Sequence, residues 1–381
     1  MKFFHLSDLH IGKRLNEFSL LDDQDYILKE ILRLADEEKP DGVLIAGDVY
    51  DKSLPAAEAV TLLDTFLVAL SEKKIPVYLI SGNHDSAERL AFMSRVLSQS
   101  GIHISPVYSG AVTPITVNDA FGAVNLYLLP FVKPANVRAY AEESERDAIE
   151  SYTDAVAYAI GQMGLDTKER NILLCHQFVT GAARSDSETV SVGGSDNVSA
   201  EVFDDFDYVA LGHIHTPQSI GRETLRYSGT PLPYSFSETA EKSVTVVELL
   251  EKGNVSVSTR TLKPRRKTVT LKGKYEELMA VSYYTNTTYR EDFVRVILTD
   301  EKDIFDAIGK LRTVYQNVMA VEYDNTRTRK TAIIEAPEDT EIPSPFEVFR
   351  KLYETQNNAP MTDEQNRYLA AVIEDIFRED V

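Results

Sequence analysis

One cysteine, Cys175, stands in 381 residues, so no internal disulfide can form and the fold does not lean on an oxidising compartment. Long hydrophobic runs are missing too. No apolar stretch approaches the roughly 18–20 residues of a membrane span, and Asp8 and His10 interrupt the apolar opening MKFFHLSDLH before a secretory core could form. Together these absences predict a soluble, unexported, cytoplasmic chain with no membrane partner. There is no internal repeat, no low-complexity tract and no G-x-x-x-x-G-K-[ST] loop, which excludes an ATP site of the P-loop type. Positive charge is scarce: 40 Lys and Arg against 60 Asp and Glu give a formal net charge of −20. A nonspecific polyanion binder usually carries a basic footprint, so any affinity for nucleic acid must be local.

The charge is in fact unevenly spread. Residues 260–274 hold Arg260, Lys263, Arg265, Arg266, Lys267, Lys272 and Lys274 with no acid, whereas from 335 to 381 twelve acids face only Arg350, Lys351, Arg367 and Arg378. Each run can be read either as a solvated linker or helix face or as an interaction surface.

Up to about residue 262, short apolar runs of strand length alternate with polar, Gly-containing turns and helix-like stretches such as 26–37 and 56–70. That alternation predicts an α/β domain. The runs 2–6, 43–46, 77–80, 172–175 and 208–211 suit strands buried in a layered sheet, a further run covers 125–129, and most of 184–207 is expected to be a long surface loop. Beyond the basic stretch the expected pattern is strand 267–271, helix 275–280, strand 293–298, helix 304–315 and strand 318–323, a small α+β domain. Pro337, Pro343 and Pro345 then mark a break. Two amphipathic helices follow at 346–355 and 362–377, with Phe346, Phe349, Leu352 and Tyr353 sharing one face, Leu369, Val372, Ile373 and Ile376 another, and Thr362 with Gln365 forming a capping box. The expected domains are 1–265, 266–336 and 343–381.

Five of the strand-like runs end in groups that bind metals. Asp8 and His10 follow the first, Asp48 the second, Asn83 and His84 the third, His176 the fourth, and His213 and His215 the fifth. Functional groups collect at the carboxyl ends of strands in α/β sheets, so these side chains are expected to share one crevice. Any single histidine is more simply a core or surface residue, and His5 and His103, which do not follow such runs, keep that reading. Carboxylate, amide and imidazole without thiolate suit a hydrolytic site for Mn²⁺, Mg²⁺, Fe²⁺ or Zn²⁺ and not a structural zinc. Seven ligands drawn from these eight side chains are too many for one ion with open positions and enough for two that share a carboxylate. Two ions roughly 3.5–4 Å apart suit phosphoester hydrolysis.

The ordered set Asp8-Leu9-His10, Gly47-Asp48, Gly82-Asn83-His84-Asp85, His176 and Gly212-His213-Ile214-His215 resembles the five motifs of the calcineurin-like metallophosphoesterases. Within them the chain is most similar to the bacterial SbcD family of nuclease subunits, through 5–12, Ser191-Val192-Gly193-Gly194, 206–213 and Tyr227-Ser228-Gly229-Thr230-Pro231. The resemblance implies a layered β-sheet metallophosphoesterase domain, a small α+β capping domain and a C-terminal helix pair. It implies that Asp8, His10 and His215 hold one ion, that Asn83, His176 and His213 hold the other, and that Asp48 bridges them, the ions most often being Mn²⁺. His84 is implied as the group facing the scissile phosphate, with Asp51 in a supporting role. Lys52 and Asp85 stand where the phosphatase branch has Arg and Glu, which disfavours a phosphoprotein substrate.

By the same resemblance the expected activity is that of a metal-dependent DNA nuclease subunit, a 3′-to-5′ exonuclease on duplex and an endonuclease on single strands and hairpins. It would act in recombination, replication and repair with an SbcC-type ATPase, as a homodimer within a heterotetramer. The alternatives are a stand-alone phosphodiesterase or phosphatase, which would not need the C-terminal third, and a scaffold with a degenerate site, which the full ligand set opposes.

Overall fold

A computed structural model describes residues 1–185, 188, 196–326, 328, 345–357 and 360–378. Ser191-Val192-Gly193-Gly194, Pro337, Pro343 and part of the expected turn between the last two helices lie outside the described residues.

Runs such as Gly42–Ala46 (GVLIA) and Arg170–His176 (RNILLCH) are apolar at nearly every position because both of their faces are covered. Successive side chains along a strand point to opposite faces. Val43 and Ile45 accordingly join a core with the helices Leu21–Glu38 and Ala57–Glu72, while Leu44 and Ala46 join a second core with Ile172, Leu174, Tyr208 and Ala210. Leu173 and Cys175 pack on the far side, against Tyr152–Gly161. The result is four layers, helix, sheet, sheet, helix, with a buried seam between the sheets.

The first sheet runs in the order Val255–Thr261, Ser243–Leu249, Lys2–Leu6, Gly42–Ala46, Val77–Ile80, Ile102–Ile104. Lys2–Leu6 pairs parallel with Gly42–Ala46 and antiparallel with Ser243–Leu249. The second runs Gln218–Ile220, Arg222–Tyr227, Tyr208–Gly212, Arg170–His176, Gly122–Leu129, Ile115–Asp119. The strands carrying candidate ligands are thus divided, three in the first sheet and two in the second, rather than lying side by side in one. The stretch expected as a loop at 184–207 contains a short strand, Asn197–Val198, and a 3-10 turn, Ala200–Phe203, that buries Phe203.

Helix Leu21–Glu38 buries Ile27, Leu28, Ile31, Leu34 and Ala35 at helical spacing. It ends at Lys39, whose left-handed φ of 50° lets its N–H reach the Ala35 carbonyl. Burying one such Leu or Ile side chain stabilises the fold by roughly 1.5–3 kcal/mol.

A three-stranded sheet follows, in the order Thr268–Gly273, Phe293–Leu298, Asn317–Tyr323. The chain divides into two compact units, Met1–Thr270 with Asn286–Arg295 and Leu311–Ala320, and Leu271–Thr285 with Val296–Lys310 and Val321–Val381. The second contains the helices Pro345–Asn357 and Asp363–Arg378. The capping box is formed: Thr362 N donates to Gln365 Oε1 at 2.9 Å and Gln365 N to Thr362 Oγ1 at 3.3 Å. Gln365 also donates to Tyr353 OH at 2.9 Å, tying the pair together. Val348, Phe349, Leu352 and Tyr368 remain exposed while Leu369 is buried.

Three cations of the basic stretch are internally engaged. Arg266 pairs with the buried Asp23 and lies over the Phe293 ring, Arg260 pairs with Glu38, and Lys272 with Asp324. Lys263, Arg265 and Lys267 are exposed. Among the described residues no helix is long and apolar enough to cross a membrane.

Candidate metal centre

Each ligand-bearing strand stops at the same edge of the two-sheet seam, and the backbone turns there in conformations that side chains usually avoid. Asp8, His10, Asp48 and His213 have φ of 53°, 43°, 48° and 103°. Such left-handed positions cost of order 1–3 kcal/mol each and persist where the surroundings over-determine them. Two glycines allow the loops to meet. A Cβ on Gly212 would stand 1.8 Å from the Ala46 carbonyl oxygen, and one on Gly82 would stand 2.1 Å from Asp48 Oδ1.

The eight residues singled out from the sequence converge. Asp48 occupies the middle: its Oδ2 lies 3.6 Å from His10 Nε2, 3.4 Å from His176 Nε2 and 4.0 Å from His84 Nε2, and its Oδ1 accepts from the His84 N–H at 2.9 Å. On one side the Nε2 atoms of His10 and His215 face each other at 3.2 Å. On the other, Asn83 Oδ1 lies 3.0 Å from His176 Nε2 and 2.9 Å from His213 Nδ1. Asp8 accepts from the His213 N–H at 3.0 Å and joins both Asp8–His10–His215 and Asp8–Asp48–His176, groups whose ligand atoms lie within 4.8 Å of one another. Carboxylate, amide and imidazole lone pairs converging on common points fit cations. Both flanks can hold a divalent ion, with Asp48 between them.

Two of the imidazoles are held in ligand-ready tautomers from behind. His176 Nδ1 donates to the Ala46 carbonyl at 2.8 Å, and His215 Nδ1 to Glu238 Oε1 at 3.2 Å, which leaves each Nε2 facing inward. His84 Nδ1 donates to the Asp51 backbone carbonyl at 3.0 Å. The support expected of Asp51 therefore comes from its main chain, while its carboxylate pairs with Lys13 at 2.8 Å.

Burial dominates the electrostatics. It pushes the Asp8 carboxyl up to about 6 against the pull of His176 and His215, and drives His213 down to about 3 and His10 well below the usual imidazole range. For Asp48 and His176 burial acts against charge, yet their mutual attraction wins, holding the carboxyl far below its ordinary value and lifting the imidazole to about 9. Cys175 packs into the core on the far side of the second sheet, where burial pushes its thiol up to about 12.

Residues that sequence reading passed over hold the His215 side of the site. Glu238 is buried, and although burial alone would raise its carboxyl, the His215 hydrogen bond and Lys242 hold it at about 2. Lys242 Nζ donates to Glu238 Oε2 at 2.5 Å, to Thr230 Oγ1 at 2.6 Å and to the His215 carbonyl at 3.0 Å, and the buried Glu188 accepts from the His215 N–H at 2.8 Å. The Gly229-Thr230-Pro231 motif was the available signal, since Thr230 N donates to the same carbonyl at 3.1 Å. Asp85 accepts from the backbone N–H groups of Gly82, Val49 and Tyr50 at 2.9, 3.1 and 2.9 Å, and so clamps the Asp48 loop to the Asn83 loop. His5 is a core residue, bonded to Tyr208 OH at 2.8 Å and to the Leu211 carbonyl.

A family model described as calcineurin-like phosphoesterase matches residues 1–217. The SbcD subunit of the nuclease SbcCD of Staphylococcus epidermidis (strain ATCC 12228 / FDA PCI 1200) is 32% identical over 383 residues, covering 98% of this chain and 99% of that one. The chain belongs to the calcineurin-like phosphoesterase family, in its SbcD branch. A second model, described as type 5 capsule protein repressor C-terminal domain, matches residues 264–357 of this phosphoesterase. Among solved structures, a dimetal phosphatase from Danio rerio aligns with TM-score 0.39 at 12% identity, covering 68% of this chain and 96% of that chain. A phosphoesterase from E. coli aligns with TM-score 0.28 at 13% identity, covering 69% and 100%. In this calcineurin-like phosphoesterase all eight side chains of the centre fall inside the first family match.

Proposed function

We propose that the protein is a metal-dependent DNA nuclease subunit that hydrolyses phosphodiesters at this centre, with Asp8, His10 and His215 holding one divalent ion, Asn83, His176 and His213 the other, and Asp48 shared. The observation that carries the hydrolytic reading is the placement of one buried carboxylate, Asp48, within 3.4–4.0 Å of three imidazole nitrogens from three different loops. The donors admit Mn²⁺, Mg²⁺, Fe²⁺ or Zn²⁺, and Mn²⁺ is proposed on the likeness to the SbcD subunit. Two such ions, when bound, supply Lewis-acid polarisation of the phosphate and acidification of water.

The chain's own groups supply positioning and a proton. His84 Nδ1–H is fixed on the Asp51 carbonyl, which leaves Nε2 free on the side facing Asp48. A proton carried at Nε2 is the one His84 can give to the leaving oxygen as its bond to phosphorus breaks. The backbone turns at Asp8, Asp48 and His213 keep the ligands from collapsing onto one another, so little reorganisation is needed when charge develops.

The proposal extends to DNA as substrate, 3′-to-5′ exonuclease action on duplex, endonuclease action on single strands and hairpins, and a cytoplasmic role in recombination, replication and repair, and the near full-length likeness to the SbcD subunit of a nuclease SbcCD supports it. The same likeness supports an SbcC-type ATPase partner and a homodimer within a heterotetramer. We assign the docking of that ATPase to the helices Pro345–Asn357 and Asp363–Arg378, whose exposed Val348, Phe349, Leu352 and Tyr368 offer an apolar surface. The domain limits 1–265, 266–336 and 343–381 belong to the same proposal.

The test is to incubate the purified chain with Mn²⁺ and end-labelled duplex and hairpin DNA, with and without an SbcC-type ATPase and ATP. Metal-dependent shortening of the duplex and opening of the hairpin, stimulated by the ATPase, supports the reading. Hydrolysis of small phosphodiesters with no DNA cleavage under either condition would replace it with a stand-alone phosphodiesterase.

A further inference from the structure

Near the start of helix Leu21–Glu38 a neutral polar side chain, Gln24, is only 1% exposed. The hydrolytic mechanism makes no use of it. Its amide turns back onto the loop that follows strand Lys2–Leu6. Gln24 Nε2 donates to the His10 carbonyl at 2.8 Å and to the Leu9 carbonyl at 3.2 Å, while Oε1 accepts from the Gly12 N–H at 2.9 Å. The Tyr234 hydroxyl lies 3.1 Å from the same Nε2 and itself donates to the Leu9 carbonyl. Its ring stands edge-on to both His10 and His215, at 5.7 and 6.2 Å.

The loop needs such a hold. Asp8, His10 and Gly12 have φ of 53°, 43° and 92°, and left-handed positions persist where the surroundings over-determine them. The tilt of the Leu9 and His10 peptide planes sets where the Asp8 carboxylate and the His10 imidazole point. A glutamine amide carries N–H donors and an acceptor in one neutral group, which is what two carbonyls and one N–H of a single loop require. Glutamate would set a carboxylate against both carbonyls, and methionine, of similar length, offers no donor at all. The helix has anchors of its own. Ile27, Leu28 and Ile31 fix it in the core, and the neighbouring Asp23 pairs with Arg266, whose guanidinium lies over the Phe293 ring. Other groups secure the opposite flank of the centre: Asp85 braces the Asn83 loop from within, and the Ala46 carbonyl stands behind His176.

We propose that Gln24 is a positioning residue for one of the two ions: its amide fixes the backbone from Leu9 to Gly12 so that Asp8 and His10 meet His215. The flank of Asn83, His176 and His213 is set by other groups. The inference rests on the two-ion reading above and deepens it, giving one flank of the centre a support that lies outside the ligand loops.

Calorimetric titration of Mn²⁺ into the full chain tests it, with two binding steps expected in the wild type. Gln24→Met keeps the length of the side chain and removes its amide. It should weaken one step roughly 10- to 100-fold, the usual effect of losing a group that orients a metal ligand, and leave the other within about threefold. The weakened step should be the one that His215→Ala weakens. Gln24→Glu, equal in shape but with a carboxylate against the two carbonyls, should weaken that same step and serves where the methionine variant does not fold. Ile31→Ala opens a cavity beneath the same helix and controls for general loosening: it should lower the melting temperature and alter neither step. All titrations are run at a temperature where melting curves show each variant folded. Two wild-type steps in the Gln24 variants overturn the proposal, as do two steps weakened equally, or a selective loss that Ile31→Ala reproduces. Wild-type chain that takes up no Mn²⁺ would remove the two-ion reading itself and the inference with it, a result distinct from the others.

Discussion

His10 and His215 direct their Nε2 atoms at one another across 3.2 Å, and Glu238 already engages the far nitrogen of His215. Two imidazoles so placed share a cation more readily than they share a proton. Chelation is therefore expected to lower the melting temperature, and Mn²⁺ added back to restore it. At a hundred times its Kd, each ion adds about 2.7 kcal/mol. A melting temperature indifferent to chelator and to Mn²⁺ would remove the metal assignment.

Glu238→Gln should lower metal affinity roughly 10- to 100-fold, because a carboxylate behind a ligating histidine fixes its ring and raises its basicity. The substitution also strands the buried Lys242, so stability should fall by roughly 3–5 kcal/mol. Adding Lys242→Met should recover much of the stability and none of the affinity. If the double variant regained full Mn²⁺ affinity, Glu238 would be a structural residue only.

Replacing His84 with Gln should leave both ions bound and slow DNA cleavage roughly 10²–10⁴-fold, the usual contribution of a positioned proton donor. Calorimetry for Mn²⁺ and single-turnover cleavage separate the two effects. Cleavage at the wild-type rate would exclude His84 as the donor.

Gly82→Ala would place a methyl carbon 2.1 Å from Asp48 Oδ1 and 2.4 Å from the Asp48 backbone nitrogen, so the Asp48 loop must shift. Since Asp48 is shared, affinity should fall for both ions together, whereas His215→Ala should weaken chiefly one. Two unaltered binding steps in Gly82→Ala would mean that the carboxylate is not the bridge.

Away from the centre, Arg170 is buried and grips Asp119 with both terminal nitrogens, together with the Gly122 and Leu250 carbonyls. The guanidinium holds the Asp119 carboxyl well below the usual range. A depressed acid contributes stability that is present above its unfolded-state pKa of about 3.9 and lost as pH falls towards its folded-state value. Asp119→Asn should thus cost roughly 1.5–3 kcal/mol at neutral pH. The gap between variant and wild type should close in acid. A gap independent of pH in denaturant titrations would mean that the carboxylate charge plays no part.

The strands that matter were legible because their apolar runs are nearly uninterrupted: 2–6 and 77–80 coincide with Lys2–Leu6 and Val77–Ile80, and 208–211 falls one residue short of Tyr208–Gly212. The same property hid the two-sheet arrangement. A strand buried on both faces reads alike whether its neighbour is a helix layer or a second sheet, so Leu44 meeting Leu174 could not be foreseen from either run. Ser243–Leu249 escaped for another reason: its partner Lys2–Leu6 lies at the other end of the domain, and pairing over such a separation leaves no local mark. In the site, the side chains proposed to hold ions announced themselves by type and position. Glu188 and Glu238 sit in polar stretches where an acid is unremarkable, and only the fold buries them.

The division of the centre between two sheets also sets when it can exist during folding. His10, Asp48 and Asn83 belong to loops of the first sheet, His176, His213 and His215 to the second, and neither flank closes until the sheets have met along their buried seam. Contacts of such long sequence separation form late. Ions captured there act after the transition state, so Mn²⁺ is expected to slow unfolding while leaving the refolding rate almost unchanged. A metal held there would serve this chain as a latch on a finished structure and not as a nucleus for building it.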